Sequence, residues 1–240
     1  MFCYFISMDR AKYGIDAPNI IFYFGVGGGI GIAFALFLWN VSLFVSLPIL
    51  LASSVFFLEA LWMLYSSFWG KFSQIDRMVS QLKLEGSEKV LDVGCGKGSL
   101  LIRVAKKLCE GKAYGVDIWR KQDLSQNRIE RTLENIQIEG VEKTAEVQSA
   151  DMRELPFKEG FFDCVVASLA MHNIETKKGR EKALQEIDRV LKPGGKVAIL
   201  DFQKLDEFAQ FFQMGYKVSL SPLQWKMFPP TRVLVAVKRG

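Results

Sequence analysis

Between Pro18 and Leu58 the chain has no charged residue, and its first 70 residues carry only Asp9, Arg10, Lys12, Asp16 and Glu59. Histidine is nearly absent: His172 stands alone. The four cysteines, Cys3, Cys95, Cys109 and Cys164, show no Cys-x-x-Cys spacing. One histidine and scattered thiols leave nothing from which to build a zinc site or a disulfide framework, so no metal is expected and reduced, cytosolic chemistry fits best. Dense Lys/Arg patches with interleaved aromatics are missing too, so the net charge of +5 reads as a solvated surface and predicts no nucleic-acid partner. Residues 1–17 lack the basic start and cleavage-site features of a signal peptide.

The uncharged run organises the N-terminal part. As one helix it would extend about 60 Å, twice the hydrocarbon thickness of a bilayer. Two spans use it, with the break at Trp39-Asn40-Val41-Ser42, the most polar and turn-compatible point. The expectation is a membrane hairpin over residues 1–67, with transmembrane helices over about 19–38 and 43–65. A hairpin returns both flanks to one side, and Arg10, Lys12, Lys71 and Arg77 put that side, both termini and the following domain in the cytoplasm. Trp62, Tyr65 and Trp69 suit an interfacial aromatic belt, and Glu59 an interfacial carboxylate. The glycines of Gly25-Val-Gly-Gly-Gly-Ile-Gly31 lie inside the apolar run. Their Gly25/Gly29 and Gly27/Gly31 pairs suit helix packing against Ala52, Ser53 and Ser54 better than a phosphate loop. Beyond them Phe68, Phe72, Ile75, Met78, Val79 and Leu82 recur at helical spacing opposite Lys71, Gln74, Arg77 and Gln81, which predicts an amphipathic linker helix within residues 68–85.

Residues 86–240 alternate strand and helix. An apolar strand at Lys89–Val93 is broken by Gly94, Gly96 and Gly98 before an amphipathic run from Leu100 to Leu108. Strands are expected at Ala113–Ile118, Ala145–Gln148, Cys164–Ser168 and Lys196–Leu200, with helices at about 125–137 and Arg180–Leu191 between them. Lys217–Leu220 and Arg232–Val237, separated by Ser-Pro and Pro-Pro, close the sheet as a hairpin. The alternation implies an α/β fold: a doubly wound, mostly parallel seven-stranded sheet with one antiparallel strand, binding ligands at the carboxyl ends of its strands. The glycines let the backbone turn tightly and approach a ligand, and the free N–H groups of the next helix face the same spot.

Taken together, Asp92-x-Gly94-x-Gly96-x-Gly98, Asp117 at the next strand end, Ala150-Asp151-Met152 before Leu155-Pro156-Phe157, the Phe162–Ser168 strand and Arg189-Val-Leu-Lys-Pro-Gly-Gly195 resemble a Rossmann-like, class I S-adenosylmethionine-dependent methyltransferase over about two thirds of the chain. The resemblance implies S-adenosylmethionine as cofactor, contacted by Asp92, Gly94, Cys95, Gly96, Gly98, Asp117, Ile118, Asp151, Met152 and Ser168. It gives Asp92 the amino group, Gly94 and Gly96 the amino acid end and sulfur, and Asp151 the adenine amino group with Met152 beside the ring. Physics supports one of these independently: an acid about 20 residues beyond the glycines accepts both ribose hydroxyls. His172 lies just beyond the fourth strand, where such enzymes meet the substrate, and is the candidate base or substrate contact; Asn173 shares the position. No Asn-Pro-Pro-Tyr follows that strand, which disfavours amino-adenine methylation, and Asp201–Lys217 is too short for a substrate-binding insertion. Cover for the acceptor must therefore come from the N-terminal side. The expectation is a membrane-anchored, cytoplasm-facing methyltransferase acting on a small or lipid-like acceptor such as a quinone. Its alternatives are a non-catalytic cofactor-binding assembly or regulatory factor and a protein side-chain methyltransferase.

Overall fold

The computed structural model describes residues 13–120 and 127–240; Cys3, Arg10, Lys12 and the expected helix start near Ser125 lie outside these. The chain divides into two compact units. The hairpin unit comprises Gly14–Ser73 and Trp225–Pro230. Helix α1 (Pro18–Phe37) opens on a proline, whose missing N–H costs nothing in a first turn. A short turn at 38–42 leads into α2 (Leu43–Tyr65). At 20 and 23 residues, the two run about 30 and 35 Å. Both are long and apolar enough to cross a membrane, and both leave most of their surface exposed.

The seam between α1 and α2 keeps Gly31 against Ser53, as expected, but takes Gly28 in place of Gly27 and Gly29. Ile21, Gly28 and Ala35, seven residues apart, are the buried positions of α1. A Cβ on Gly28 would lie 2.8 Å from the Phe57 nitrogen, and one on Gly31 would lie 2.1 Å from the Ser53 hydroxyl. Gly27 and Gly29 face open space, and Ala52 is exposed. Helical periodicity explains the change, since a seam repeating every seven residues takes Gly28 and carries Gly27 and Gly29 past it on either side.

After α2 the backbone makes one π-helical turn, Ser66–Gly70, before α3 (Lys71–Leu82). The wider turn inserts a residue and rotates the following face by about 100°. Phe68 is therefore exposed, whereas Lys71 and Gln74, expected on the polar face, are buried alongside Ile75, Met78, Val79 and Leu82. Lys71 is neutralised by Asp16, with Nζ 3.0 Å from both carboxylate oxygens.

The sheet unit takes Gln74–Gln224 and Thr231–Gly240, together with Tyr13. Its strands are β1 (Lys89–Val93), β2 (Lys112–Asp117), β3 (Ala145–Ser149), β4 (Phe162–Ser168), β5 (Leu191–Asp201), β6 (Tyr216–Leu220) and β7 (Arg232–Lys238). They form one seven-stranded sheet in the order β3-β2-β1-β4-β5-β7-β6. All pairings are parallel except those of β7, which runs antiparallel to both neighbours. Strand β5 starts earlier than its apolar run, because Leu191 already pairs with Phe162 ahead of a bulge. Helices α4 (Ser99–Ala105), α5 (Ile129–Ile138), α6 (Lys177–Val190) and α7 (Leu205–Gln213) connect the strands. The central strands are apolar on both faces, as a covered parallel sheet requires. Leu91, Val165, Val197 and Ile199 pack there with Leu184 and Ile187 of α6 and Phe208 and Phe212 of α7.

Candidate active site

Strand order reverses between β1 and β4, and at such a switch point the loops leaving the carboxyl ends diverge and open a crevice. Four neighbouring strands supply its rim: the glycine loop after β1, Asp117–Trp119 after β2, Leu169–Asn173 after β4, and Asp201 ending β5. The glycine loop is fixed before any ligand arrives. Gly94, Gly96 and Gly98 all have positive φ, which L side chains resist. Gly94 N and Cys95 N both donate to Val116 O, at 2.8 and 3.1 Å. A Cβ on Gly94 would lie 2.4 Å from the Ala170 Cβ and 3.2 Å from the Met152 Cε, so Gly94 and Met152 share one wall.

Asp117 ties this loop to the end of β2. Its Oδ2 accepts the Gly96 N–H at 2.9 Å, and its Oδ1 accepts the Trp119 N–H at 2.6 Å and the Asn127 amide at 3.3 Å. Asp92 is different. It is buried, and neither carboxylate oxygen closes a hydrogen bond among the described residues. Burial, aided by the negative charge of Asp117, pushes its pKa up to about 8; the Leu101 backbone N–H pulls weakly the other way. A buried carboxylate without a partner is expensive, and a cation beside the glycine loop removes the cost. Residues of this kind fit S-adenosylmethionine, whose amino acid end carries an ammonium and whose ribose offers a diol.

The remaining expected contacts are spread around this rim. Cys95 turns its buried thiol toward Gly115 of β2, leaving the backbone to face the loop, and burial raises the thiol pKa well above its ordinary value. Ile118 is exposed and Ser168 half-buried at the end of β4. Asp151 is gripped by Arg153, whose Nε lies 3.0 Å from both oxygens, and that bond first of all holds the carboxyl below its usual range. Trp119 and Leu169 are left-handed without being glycine, with φ of 55° and 53°. Such strain persists only where surroundings impose it, and here it falls at the ends of β2 and β4.

His172 gains a partner that sequence alone did not assign. Its Nδ1 lies 2.8 and 3.1 Å from the two oxygens of Asp201, which is fully buried, and its ring packs 4.5 Å from that of Phe202. Adjacent parallel strands cause the meeting: Ser168 of β4 pairs with Leu200 of β5, so the residues just beyond them converge. An acid ending the strand after the one that presents the histidine was the available signal. Asn127 and Trp119, which brace Asp117, had none.

The fold and crevice define a class I methyltransferase domain. Residues 91–199 match the model of the methyltransferase domain family, and this part of the chain is a methyltransferase domain whose cofactor is S-adenosylmethionine. Among curated proteins, the chain is 31% identical over 173 residues to a demethylmenaquinone methyltransferase of Symbiobacterium thermophilum, covering 72% of this chain and 62% of that protein. It is 36% identical over 137 residues to a 2-phytyl-1,4-naphtoquinone methyltransferase of Nostoc punctiforme, covering 55% of this chain and 56% of that one. The chain thus spans about three fifths of the length of these relatives. Among solved structures, an S-adenosylmethionine-dependent methyltransferase from Aquifex aeolicus superposes with a TM-score of 0.55 at 19% identity, over 68% of this chain and 89% of that one.

Proposed function

We propose that the chain is a membrane-anchored methyltransferase that methylates a lipid-like acceptor, such as a quinone with a long hydrocarbon tail, at the cytoplasmic face. One observation carries this reading: a methyltransferase domain similar to enzymes named for demethylmenaquinone and a phytyl naphthoquinone is joined to a hairpin that exposes large apolar side chains. Residues 1–67 form the anchor, 68–85 the linker and 86–240 the catalytic domain. The hairpin spans the bilayer twice and returns both flanks to the cytoplasm.

Bound S-adenosylmethionine supplies a methyl group already activated on a sulfonium. Asp92 meets its ammonium, Asp117 its ribose hydroxyls, Gly94 and Gly96 its amino acid end, and Asp151 with Met152 its adenine. Gly98, Cys95, Ile118 and Ser168 complete the surround. The protein's own work is alignment and exclusion of water. Where the acceptor must lose a proton, His172 accepts it at Nε2 while Asp201 holds Nδ1, fixing tautomer and ring plane and stabilising the imidazolium.

The test is transfer of labelled methyl from S-adenosylmethionine by the purified full-length protein to native membranes, separated afterwards into lipid, protein and aqueous fractions. Label in the lipid fraction, abolished by Asp117→Ala and reduced about 10²- to 10⁴-fold by His172→Gln, is expected. Label confined to the protein or aqueous fraction would overturn the lipid acceptor, and undiminished transfer by His172→Gln would remove the base.

A further inference from the structure

The hairpin unit contains six residues that do not belong to the hairpin: Trp225–Pro230, the middle of the β6–β7 connection. They are bound to the end of α2 and to the π-helical turn beyond it. The indoles of Trp62 and Trp225 stack with centroids 5.9 Å apart, the Trp62 Nε1–H donates to Trp225 O at 3.1 Å, and Phe228 meets Trp62 edge to face at 5.0 Å. The Phe228 N–H donates to the Ser66 hydroxyl at 2.9 Å and Lys226 Nζ to the Ser73 hydroxyl at 3.2 Å. Gly70 admits the segment, since a Cβ there would lie 1.7 Å from Lys226 O. Phe228 also packs against the small core of Ile21, Ala60 and Met63.

This attachment falls where the uncharged stretch ends. Trp62 lies in the last turn of α2, three residues beyond Glu59, and the later charges of this unit are Lys71, paired with Asp16, and Lys226. Around that level Trp69 and Trp225 are each 64% exposed, and Tyr65 and Phe68 are nearly half exposed. Exposed indoles and phenols beside lysines, at the end of an apolar helix about 35 Å long, have the chemistry of the headgroup layer, where an amphipathic ring keeps its body apolar and its N–H wet.

Resting on the two-span reading, we propose that Trp225–Pro230 is a second membrane-seated element. It is an interfacial loop whose ligand is the lipid headgroup layer, and which with Trp62, Tyr65 and Trp69 closes a continuous aromatic collar around the end of α2. Water is a poor partner for this collar, and the apolar material that continues below it is lipid. The β6–β7 connection therefore reports bilayer depth directly, although it lies more than 150 residues from the hairpin in sequence.

The test uses the full-length protein labelled with fluorotryptophan in nanodiscs of phosphatidylethanolamine and phosphatidylglycerol. Each fluorine resonance is assigned by a Trp→Phe substitution, and Val55→Trp adds an indole at the exposed middle of α2. Line broadening is read with lipids bearing a nitroxide at the headgroup, with lipids bearing it near the chain end, and with a water-soluble paramagnetic chelate. Trp225 and Trp69 should broaden several-fold more with headgroup nitroxide than with chain-end nitroxide, while the indole introduced by Val55→Trp should show the reverse. Gly70→Ala should shift Trp225 alone toward the water-soluble agent. If the α2 probe behaves as expected but Trp225 responds only to the chelate, the loop proposal falls and the spanning reading stands. Shielding of Trp225 from all three agents would overturn it in favour of a protein cover. If the α2 probe does not respond to chain-end nitroxide, the spanning reading falls and the loop proposal with it.

Discussion

The two units are inverted copies of one another in what they bury. In the sheet unit Leu91, Val165, Phe208 and Phe212 are fully inside. In the hairpin unit Ser46 and Ala35 are fully inside, while Phe44 is 95% and Tyr23 70% exposed. Glycine divides the same way. Gly94, Gly96 and Gly98 are needed for a positive φ that turns the chain out of β1 toward α4, whereas Gly28 and Gly31 are ordinary helical residues needed because a neighbouring helix leaves no room for a Cβ. The lesson is that a hydrophobic surface is defined by its solvent. Water drives the large side chains of one unit inward, and in the proposed reading lipid leaves those of the other outside, so that small residues make its helix contacts.

The largest test of that contrast replaces Leu51, Val55 and Leu58, all exposed on α2, by lysine. In lipid each costs roughly 2.5–3.5 kcal/mol near the middle of a span, so the triple variant should leave the alkali-resistant membrane fraction. Retention there would break the comparison. The same polar substitutions on a water-facing surface would cost almost nothing.

A second test lies in the glycine loop. Gly94→Val combines a left-handed backbone with a clash against Ala170, and should cost about 2–5 kcal/mol of sheet-unit stability by denaturant titration and lose cofactor binding. Membrane retention should be unchanged, since the hairpin unit is untouched.

Asp92 sharpens the contrast by pH. Its folded pKa of about 8 lies above the unfolded value, so the folded state binds the extra proton. The stabilisation is complete below the ordinary carboxylate range and is lost as pH rises through about 8, by at most about 1.4 kcal/mol per pH unit. Asp92→Asn should flatten that slope. Cofactor binding, which in the proposed reading needs the carboxylate, should release a proton at neutral pH, seen as a buffer-dependent heat in calorimetry; equal heats in buffers of different ionisation enthalpy would contradict it.

The smallest test concerns helix starts. Thr176 caps α6 by accepting the Gly179 N–H at 3.1 Å, while among the described residues α1 and α2 open with no side-chain cap. Thr176→Ala should cost about 1 kcal/mol, and Ser42→Ala at the start of α2 nothing measurable.

Most of the sheet was legible because local chemistry and global topology agree there. Apolar strands alternate with amphipathic helices, and three glycines mark the turn that begins the site. What escaped depends on pairing across distance. The Asp201 partner of His172 requires knowing that β4 and β5 are neighbours in register. The early start of β5 at Leu191 follows from pairing with Phe162, against the usual reading of Lys-Pro-Gly-Gly as a turn. On the hairpin the apolar run announced two helices, but an all-apolar surface carries no stripe to fix rotation, so nothing in it singled out Gly28 over Gly27 and Gly29. The π-helical turn at Ser66–Gly70 was invisible for a related reason: one inserted residue changes a helix face without changing composition.

The attachment of Trp225–Pro230 also decides how this protein can be cut. Removing residues 1–67 would strip Trp225 and Phe228 of Trp62, Ser66 and the core around Met63. The remainder would carry a newly bared apolar patch at Trp225 and Phe228. A clean soluble version needs two edits: deletion at the N-terminus, and polar replacement of the six-residue tip between β6 and β7.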